Sequence, residues 1–159
     1  MRRETWHAPP GDRIPNHPSF AVLIYHGVAD GPDAARRLFA AHGWGGSWVD
    51  GVFDFHHFHS TSHEALAVVA GAATIELGGP QGEAFDVAAG DVLALPAGTG
   101  HRRATARDGF TVVGAYPAGQ EDYDLLREAD DAARARIDAL DAPPDDPVGG
   151  DGVARWRGQ

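Results

Sequence analysis

Three histidines and one glutamate in this sequence have the types and spacing of a metal-binding site. His57 and His59 are two positions apart, so their side chains share one face of an extended strand. Glu64 follows after a gap long enough for a tight turn, and His101 comes directly after the turn-rich segment 96–100. Three imidazoles and one carboxylate suit a divalent transition metal, and they suit Mg or Ca poorly. The sequence therefore predicts one bound metal ion and does not distinguish among Fe, Mn, Ni, Co, Zn and Cu.

Short strands separated by turns are the elements that must position these side chains. Between residues 47 and 116, apolar runs alternate with turns rich in glycine and proline, a pattern typical of an all-β sandwich or barrel. An earlier apolar run at 20–25 predicts one further strand. The predicted strands of the main block lie near 52–59, 64–70, 72–78, 83–88, 92–95, 101–105 and 110–116.

Two helical patterns flank this block of strands. Pro32 near the start and Gly43 past the end predict a short helix that stops at His42. Apolar residues at three- and four-residue steps predict a second helix over 121–140, and the proline-rich residues 1–18 are expected to be irregular. We expect one domain over 1–159, with an N-terminal strand and helix (1–46), a barrel core (47–117) and a C-terminal extension (118–159).

Composition and charge exclude several classes of protein. A chain of 159 residues with 43% hydrophobic residues fits one globular domain. A net charge of −10 argues against a nucleic-acid partner, and no apolar run reaches membrane-spanning length. The absence of cysteine and of a signal-peptide pattern predicts a cytoplasmic location.

Two glycine-bounded motifs enclose the candidate ligands. Gly-x5-His-x-His-x4-Glu-x6-Gly is met by Gly51, His57, His59, Glu64 and Gly71, and Gly-x5-Pro-x-Gly-x2-His is met by Gly90, Pro96, Gly98 and His101. These motifs resemble the two motifs of the cupin superfamily. The one departure is Thr105, where the family's second motif usually ends in Asn at a position that is not a ligand. The segments 55–64, 113–120 and 146–150 are similar to the YjlB-type cupins, which are single-domain bacterial proteins.

This resemblance implies a double-stranded β-helix, the jelly-roll cupin barrel. It also implies that His57, His59, Glu64 and His101 hold the metal inside the mouth of the barrel, above a concave pocket for a small molecule. Cupin barrels often pair through the edges of their sheets, so we expect a homodimer, with strand 20–25 as a candidate contact.

Weaker candidates surround the predicted metal site. Histidine side chains in general titrate near neutrality, so His63 is a candidate for proton transfer, although strand alternation directs it away from Glu64. Tyr116 either lines the pocket or fills the core. Arg103 either pairs with a substrate carboxylate or lies on a solvated strand edge. The expected apolar lining of the pocket consists of Leu66, Val68 and Leu95.

These residues predict a small metalloenzyme that acts on a small, oxygen-chelating organic substrate, which is anionic in the case that Arg103 pairs with it. With Fe(II) the expected chemistry is that of a dioxygenase, and with Mn, Ni, Co or Zn it is a non-redox isomerase or lyase reaction. The alternative is a non-catalytic barrel that binds a small molecule, because a fold alone does not determine a function.

Overall fold

The computed structural model describes residues 2–158, in which strands dominate and three helices lie outside the sheet. The strands are β1 (Arg2–Trp6), β2 (Val22–His26), β3 (Trp44–Asp50), β4 (Glu64–Leu77), β5 (Glu83–Ala88), β6 (Val92–Leu95) and β7 (His101–Pro117). The helices are α1 (Gly31–Ala41), α2 (Asp131–Ala139) and α3 (Gly152–Trp156).

Two long strands, β4 and β7, run through both faces of an antiparallel jelly-roll barrel. They pair with each other along most of their length, from Ala65 opposite Ala115 to Leu77 opposite His101. The first part of β4 also pairs with β6, and its second part pairs with β5. The order of the main sheet is β1-β2-β6-β4-β7-β3. The predicted all-β jelly-roll fold is confirmed.

Glycine at position 71 bends β4 instead of ending it. The sequence predicted separate strands at 64–70 and 72–78, but the structure has one strand of 14 residues. Gly71 has a φ of 69°, and a Cβ there would lie 2.5 Å from the carbonyl oxygen of Arg107. Only glycine accepts this backbone angle and this close approach without strain. A similar bend at Asp108, with a φ of 59°, joins the predicted strands 101–105 and 110–116 into β7.

The barrel interior and the outer face of the sheet form separate cores, because successive strand residues alternate between the two faces. Leu66 and Val68 pack inside the barrel, whereas Ala65 and Ala67 face the outer layer that holds α1 and α3. In that outer layer Phe39 of α1 is fully buried. Burying one large aliphatic or aromatic side chain stabilises a fold by roughly 1.5–3 kcal/mol. The two cores hold the barrel rigid beneath the predicted metal site.

The C-terminal helix is shorter than its sequence pattern predicted. α2 begins only after Asp130, whose side chain caps the helix by accepting a hydrogen bond of 2.8 Å from the Ala133 N–H. The preceding residues form bends and irregular backbone, with one isolated bridge to Phe58. The Leu126 N–H, for example, donates to the Phe58 carbonyl at 2.9 Å. Helical periodicity over 121–130 was overridden by these long-range backbone hydrogen bonds.

Other expectations need correction. Residues 52–59 do not form a regular strand, and only isolated bridges link this segment to the barrel. Residues 2–6 form β1, although residues 1–18 were expected to be irregular. Because β1 covers β2 on one side and β6 covers it on the other, the segment 20–25 offers no free edge for a dimer. None of the helices within residues 2–158 is long and apolar enough to cross a membrane.

Candidate metal centre

Backbone pairing brings the two halves of the candidate site together. The His57 N–H donates to the His101 carbonyl at 3.3 Å, and the His101 N–H donates to the His57 carbonyl at 3.0 Å. The Gly98 N–H donates to the His59 carbonyl at 2.8 Å. Phe58 points the other way, into the core beside α2. The expected alternation of side chains therefore holds here, although the segment is not a regular strand.

Three imidazoles converge in the buried mouth of the barrel. One ring nitrogen from each of His57, His59 and His101 lies within 4.8 Å of the others. The Nδ1 atoms lie at hydrogen-bond distance from backbone carbonyls: Phe55 O for His57 at 2.9 Å, Thr99 O for His101 at 3.0 Å, and Asp124 O for His59. A carbonyl can only accept, so each Nδ1 carries the proton. This leaves Nε2 of every ring as the atom available to a metal.

Glu64 completes the cluster from the first residue of β4. Its Oε1 lies 3.1 Å from Nε2 of His101, and its Oε2 lies 3.4 Å from Nε2 of His59. Oε1 is buried and has no well-formed hydrogen bond. Carboxylate oxygens and deprotonated ring nitrogens both present lone pairs, so this close approach requires a cation or a proton between them.

Burial and mutual interaction shift the pKa values of His57, His59 and Glu64. Burial, reinforced by His101, lowers the pKa of His57 to about 3, so this ring is neutral at pH 7. Burial acts to raise the pKa of Glu64, but His59 and His101 overcome it and hold that pKa well below its usual range. Burial acts to lower the pKa of His59, and the Glu64 carboxylate outweighs burial and raises it. An ionised carboxylate among buried imidazoles forms a donor set for a divalent ion.

Tyr116, at the end of β7, lines the site and anchors Glu64. Its hydroxyl donates to Glu64 Oε2 at 2.7 Å and accepts from Trp48 Nε1 at 2.8 Å. Burial, with Glu64 nearby, raises the pKa of Tyr116, so the hydroxyl stays protonated. Trp48 reaches this hydroxyl because Gly114 beneath its indole has no side chain, and a Cβ there would lie 2.3 Å from the ring.

A small cavity above the donor atoms opens into a larger one. The inner cavity of about 150 Å³ contains the histidines and Glu64, and the adjoining outer cavity has about 590 Å³. Trp48, Gly51, Val52, Phe53 and Tyr123 line both. The other lining residues of the inner cavity are Leu66, Tyr116 and Leu125, and those of the outer cavity are Val49, Asp50, Asp54 and Arg103.

The structure places several predicted site residues away from the inner cavity. His63 is fully buried outside it, where Nδ1 accepts from the Ala97 N–H and Nε2 donates to the Asp141 carbonyl. Both ring nitrogens are thus engaged, which removes His63 as a proton-transfer group. Val68 and Leu95 pack deeper in the barrel core. Arg103 lines the outer cavity and not the inner one, and its guanidinium lies 3.9 Å from Asp54.

Sequence reasoning missed the contribution of the segment that follows β7. Tyr123 and Leu125 form one wall of the inner cavity, and the Asp124 carbonyl orients His59. The Asp124 carboxylate accepts hydrogen bonds from the backbone and side chain of Ser60 and from Thr61. These residues lie more than sixty positions from His57 and His59 and carry no motif, so no local signal in the chain identifies them.

Comparisons with known proteins show sequence similarity to one family and to one curated relative. The cupin domain model matches residues 48–113. The uncharacterized protein YjlB of Bacillus subtilis (strain 168) is 38% identical over 156 residues, which cover 94% of this chain and 93% of that protein.

Among solved structures, the chain resembles three at low identity. Acireductone dioxygenase from Bacillus anthracis, with a cadmium ion in its active center, has 23% identity over 53% of this chain and 56% of its own, at a TM-score of 0.37. Bacillus subtilis oxalate decarboxylase, with Mn(II) centers, has 19% identity over 74% of this chain and 30% of its own, at 0.40. A cupin 2 domain-containing protein from Halorhodospira halophila has 17% identity over 97% of this chain and 80% of its own, at 0.38.

Proposed function

The chain belongs to the cupin family as a YjlB-type cupin, and from this premise we propose that it is a small metalloenzyme. His57, His59, Glu64 and His101 hold one divalent transition metal, and the substrate is a small organic molecule that chelates through two oxygens. The observation that carries this proposal is the approach of Glu64 Oε1 to His101 Nε2, 3.1 Å apart without a well-formed hydrogen bond. A divalent cation satisfies both atoms at once.

The ligand set leaves coordination positions for a substrate. Four protein ligands on a six-coordinate ion leave about two positions open. When bound, such an ion polarises a carbonyl or enol oxygen, and in the case of iron it also permits chemistry with O₂. With iron we propose a dioxygenase-like reaction. With Mn, Ni, Co or Zn we propose an isomerase or lyase reaction.

In this proposal, backbone carbonyls and neighbouring side chains orient the four metal ligands. The backbone carbonyls of Phe55, Thr99 and Asp124 fix the tautomer of each histidine, and outer hydrogen bonds of this kind orient metal ligands. The Tyr116 hydroxyl holds Oε2 of Glu64, and Tyr123 is a second tyrosine that lines the cavity beside the ligands. We therefore assign Tyr116 the role of orienting the Glu64 carboxylate for the metal.

Elemental analysis of the untagged protein, purified without added metal or chelator, tests the proposal. About one iron per chain directs the search to oxygen-uptake assays with enolic and diol substrates. About one Mn, Ni, Co or Zn per chain directs it to isomerase and lyase assays. If the protein contained no metal and took up none at micromolar concentration, the proposal would fail, and a barrel that binds a small molecule without catalysis would be the better description.

Substitution of two ligands identifies the site itself. We expect His57→Ala combined with His101→Ala to abolish metal retention, because two of the converging ring nitrogens are lost. His56→Ala is the matched control: its ring points away from the cluster, with Nε2 3.6 Å from Glu76. Metal content that was unchanged in the double variant would show that the ion is bound elsewhere.

A further inference from the structure

The large exposed hydrophobic side chains among residues 2–158 all lie at the entrance to the metal centre. We call the four of them the apolar rim: Val49 (41% exposed), Phe53 (53%), Tyr123 (36%) and Leu125 (39%). Each lines the inner cavity, the outer cavity or both. A contiguous exposed apolar patch on a soluble protein usually marks a binding surface.

Charge at the entrance does not favour an anionic ligand. Within the described part of the chain, the inner cavity contains no charged side chain besides the candidate ligands. In the outer cavity, Arg103 stands beside Asp50 and Asp54, so the formal charge of these three groups is negative. The guanidinium of Arg103 lies 3.9 Å from Asp54, which already offsets its charge. A carboxylate arriving here would meet more negative charge than positive.

The two cavities differ in size, which indicates a ligand with a small head group and a longer body. A cavity of about 150 Å³ with apolar walls accommodates a group the size of benzene. It is too narrow for a helix or a strand of a partner protein, whereas the outer cavity of about 590 Å³ accommodates a longer body. Phe53 lines both cavities and is the most exposed member of the rim. A ligand that extends from one cavity to the other must cross it.

We propose that the ligand of this site is a molecule with a compact, oxygen-chelating head and an uncharged, apolar or aromatic body that packs on the apolar rim. The proposal rests on the proposed metal function and adds the class of substrate to it. Phe53 and Val49 select the body, while the metal ligands select the head. Burial of the rim by the ligand supplies the selectivity, because apolar area removed from water contributes in proportion to its size.

A series of n-alkyl hydroxamates tests the proposal on cobalt-loaded protein. The head group is a constant two-oxygen chelator, so differences in affinity along the series report the body alone. We expect the Kd to fall by up to about fourfold per methylene, and by on the order of 100-fold from acetohydroxamate to hexanohydroxamate. Binding is measured from the visible absorption of cobalt and by calorimetry. Adipic monohydroxamate, which ends in a carboxylate, should bind at least about tenfold more weakly than hexanohydroxamate.

Rim variants show where the body lies. Phe53→Ala and Val49→Ala should reduce the dependence of Kd on chain length while leaving the Kd of acetohydroxamate within about twofold. Leu38→Ala is the matched control, because this half-buried leucine packs against the outer core around α1, away from both cavities. The chain-length dependence of this control should equal that of the unmodified protein.

The outcomes separate this inference from the proposed function. Equal affinity for all alkyl lengths overturns the inference and leaves the metal function standing. If the carboxylate-ended hydroxamate binds more tightly than hexanohydroxamate, the inference is also overturned, and Arg103 is then expected to contact the substrate. Failure of every hydroxamate to change the cobalt spectrum overturns the proposed function and the inference with it. A dimer in sedimentation that Phe53→Ala dissociates, together with a flat alkyl series, assigns the rim to a second copy of the chain instead.

Discussion

Asp124 connects the segment after β7 to the metal centre, and its removal should weaken both the fold and the metal site. The Asp124 carboxylate accepts from Ser60 N–H at 2.6 Å, from the Ser60 hydroxyl, and from the N–H and hydroxyl of Thr61 at 3.3 Å each. Its backbone carbonyl holds Nδ1 of His59. Asp124→Ala removes the carboxylate and so releases the carbonyl that orients this ligand.

The magnitude follows from the number and quality of the hydrogen bonds. The two bonds from Ser60 are the shortest, and Ser60 is fully buried, so its N–H is left without an acceptor in the variant. A hydrogen bond to a charged group contributes about 1.5–3 kcal/mol, and the side chain of Asp124 is 25% exposed, which reduces its share. We expect the free energy of unfolding to fall by about 2–3 kcal/mol. Metal affinity should fall by about tenfold, because loss of an outer-layer partner typically weakens metal binding by 10–100-fold.

Two measurements separate the effects. Urea denaturation in the presence of a chelator, followed by tryptophan fluorescence, reports the stability of the metal-free fold. Competition with a chromogenic chelator reports metal affinity. Burial acts to raise the pKa of Asp124, but the hydrogen bonds from Ser60 and Thr61 outweigh it and lower that pKa. The stabilisation is therefore fully present at pH 7 and is lost as pH falls below about 4, so the two proteins should converge in acid.

Asp122 provides the matched control. It is an exposed aspartate in the same segment, two residues before Asp124, so Asp122→Ala removes the same charge without the hydrogen bonds to Ser60. The control should remain within about 0.5 kcal/mol of the unmodified protein. Equal stability of the two variants at pH 7, or unchanged metal affinity in Asp124→Ala, would refute the reasoning.

Three further predictions follow from buried contacts. Burial, with His63 nearby, lowers the pKa of His17 to about 4. The free energy of unfolding should therefore fall by about 2 kcal/mol between pH 7 and pH 5, because the unfolded chain takes up the proton. Equilibrium unfolding in urea should show a flatter pH dependence for His17→Asn, and an unchanged slope would contradict this. Gly114→Ala should push the Trp48 indole aside, because its Cβ would lie 2.3 Å from the ring. We expect a red-shifted tryptophan emission and a free energy of unfolding lower by about 1–3 kcal/mol. A spectrum identical to that of the unmodified protein would count against the packing described. Tyr116→Phe leaves Glu64 Oε2 and the Trp48 N–H without their shared partner. The free energy of unfolding of the metal-free protein should drop by about 1–2 kcal/mol in urea titrations. The absence of a drop would mean that water replaces the hydroxyl.

The sequence by itself determined the fold class and the three histidines of the cluster. Alternation placed His57 and His59 on one face, and the turn before His101 delivered the third ring, because both effects act over a few residues of chain. The strands β5 and β6 were predicted with their correct bounds, since each is a short segment between clear turn signals. Local pattern is sufficient wherever neighbours in sequence decide the geometry.

The tertiary structure alone decided which further residues reach the site. The chain after β7 crosses the barrel mouth and brings Tyr123, Asp124 and Leu125 to the cavity. The spacing of these residues from the histidines in the sequence does not predict this contact. The same path buries His63 against backbone partners in remote segments and leaves Arg103 at the outer cavity. Hydrogen bonds and packing between distant segments depend on how the whole chain closes, which no periodicity within one element encodes.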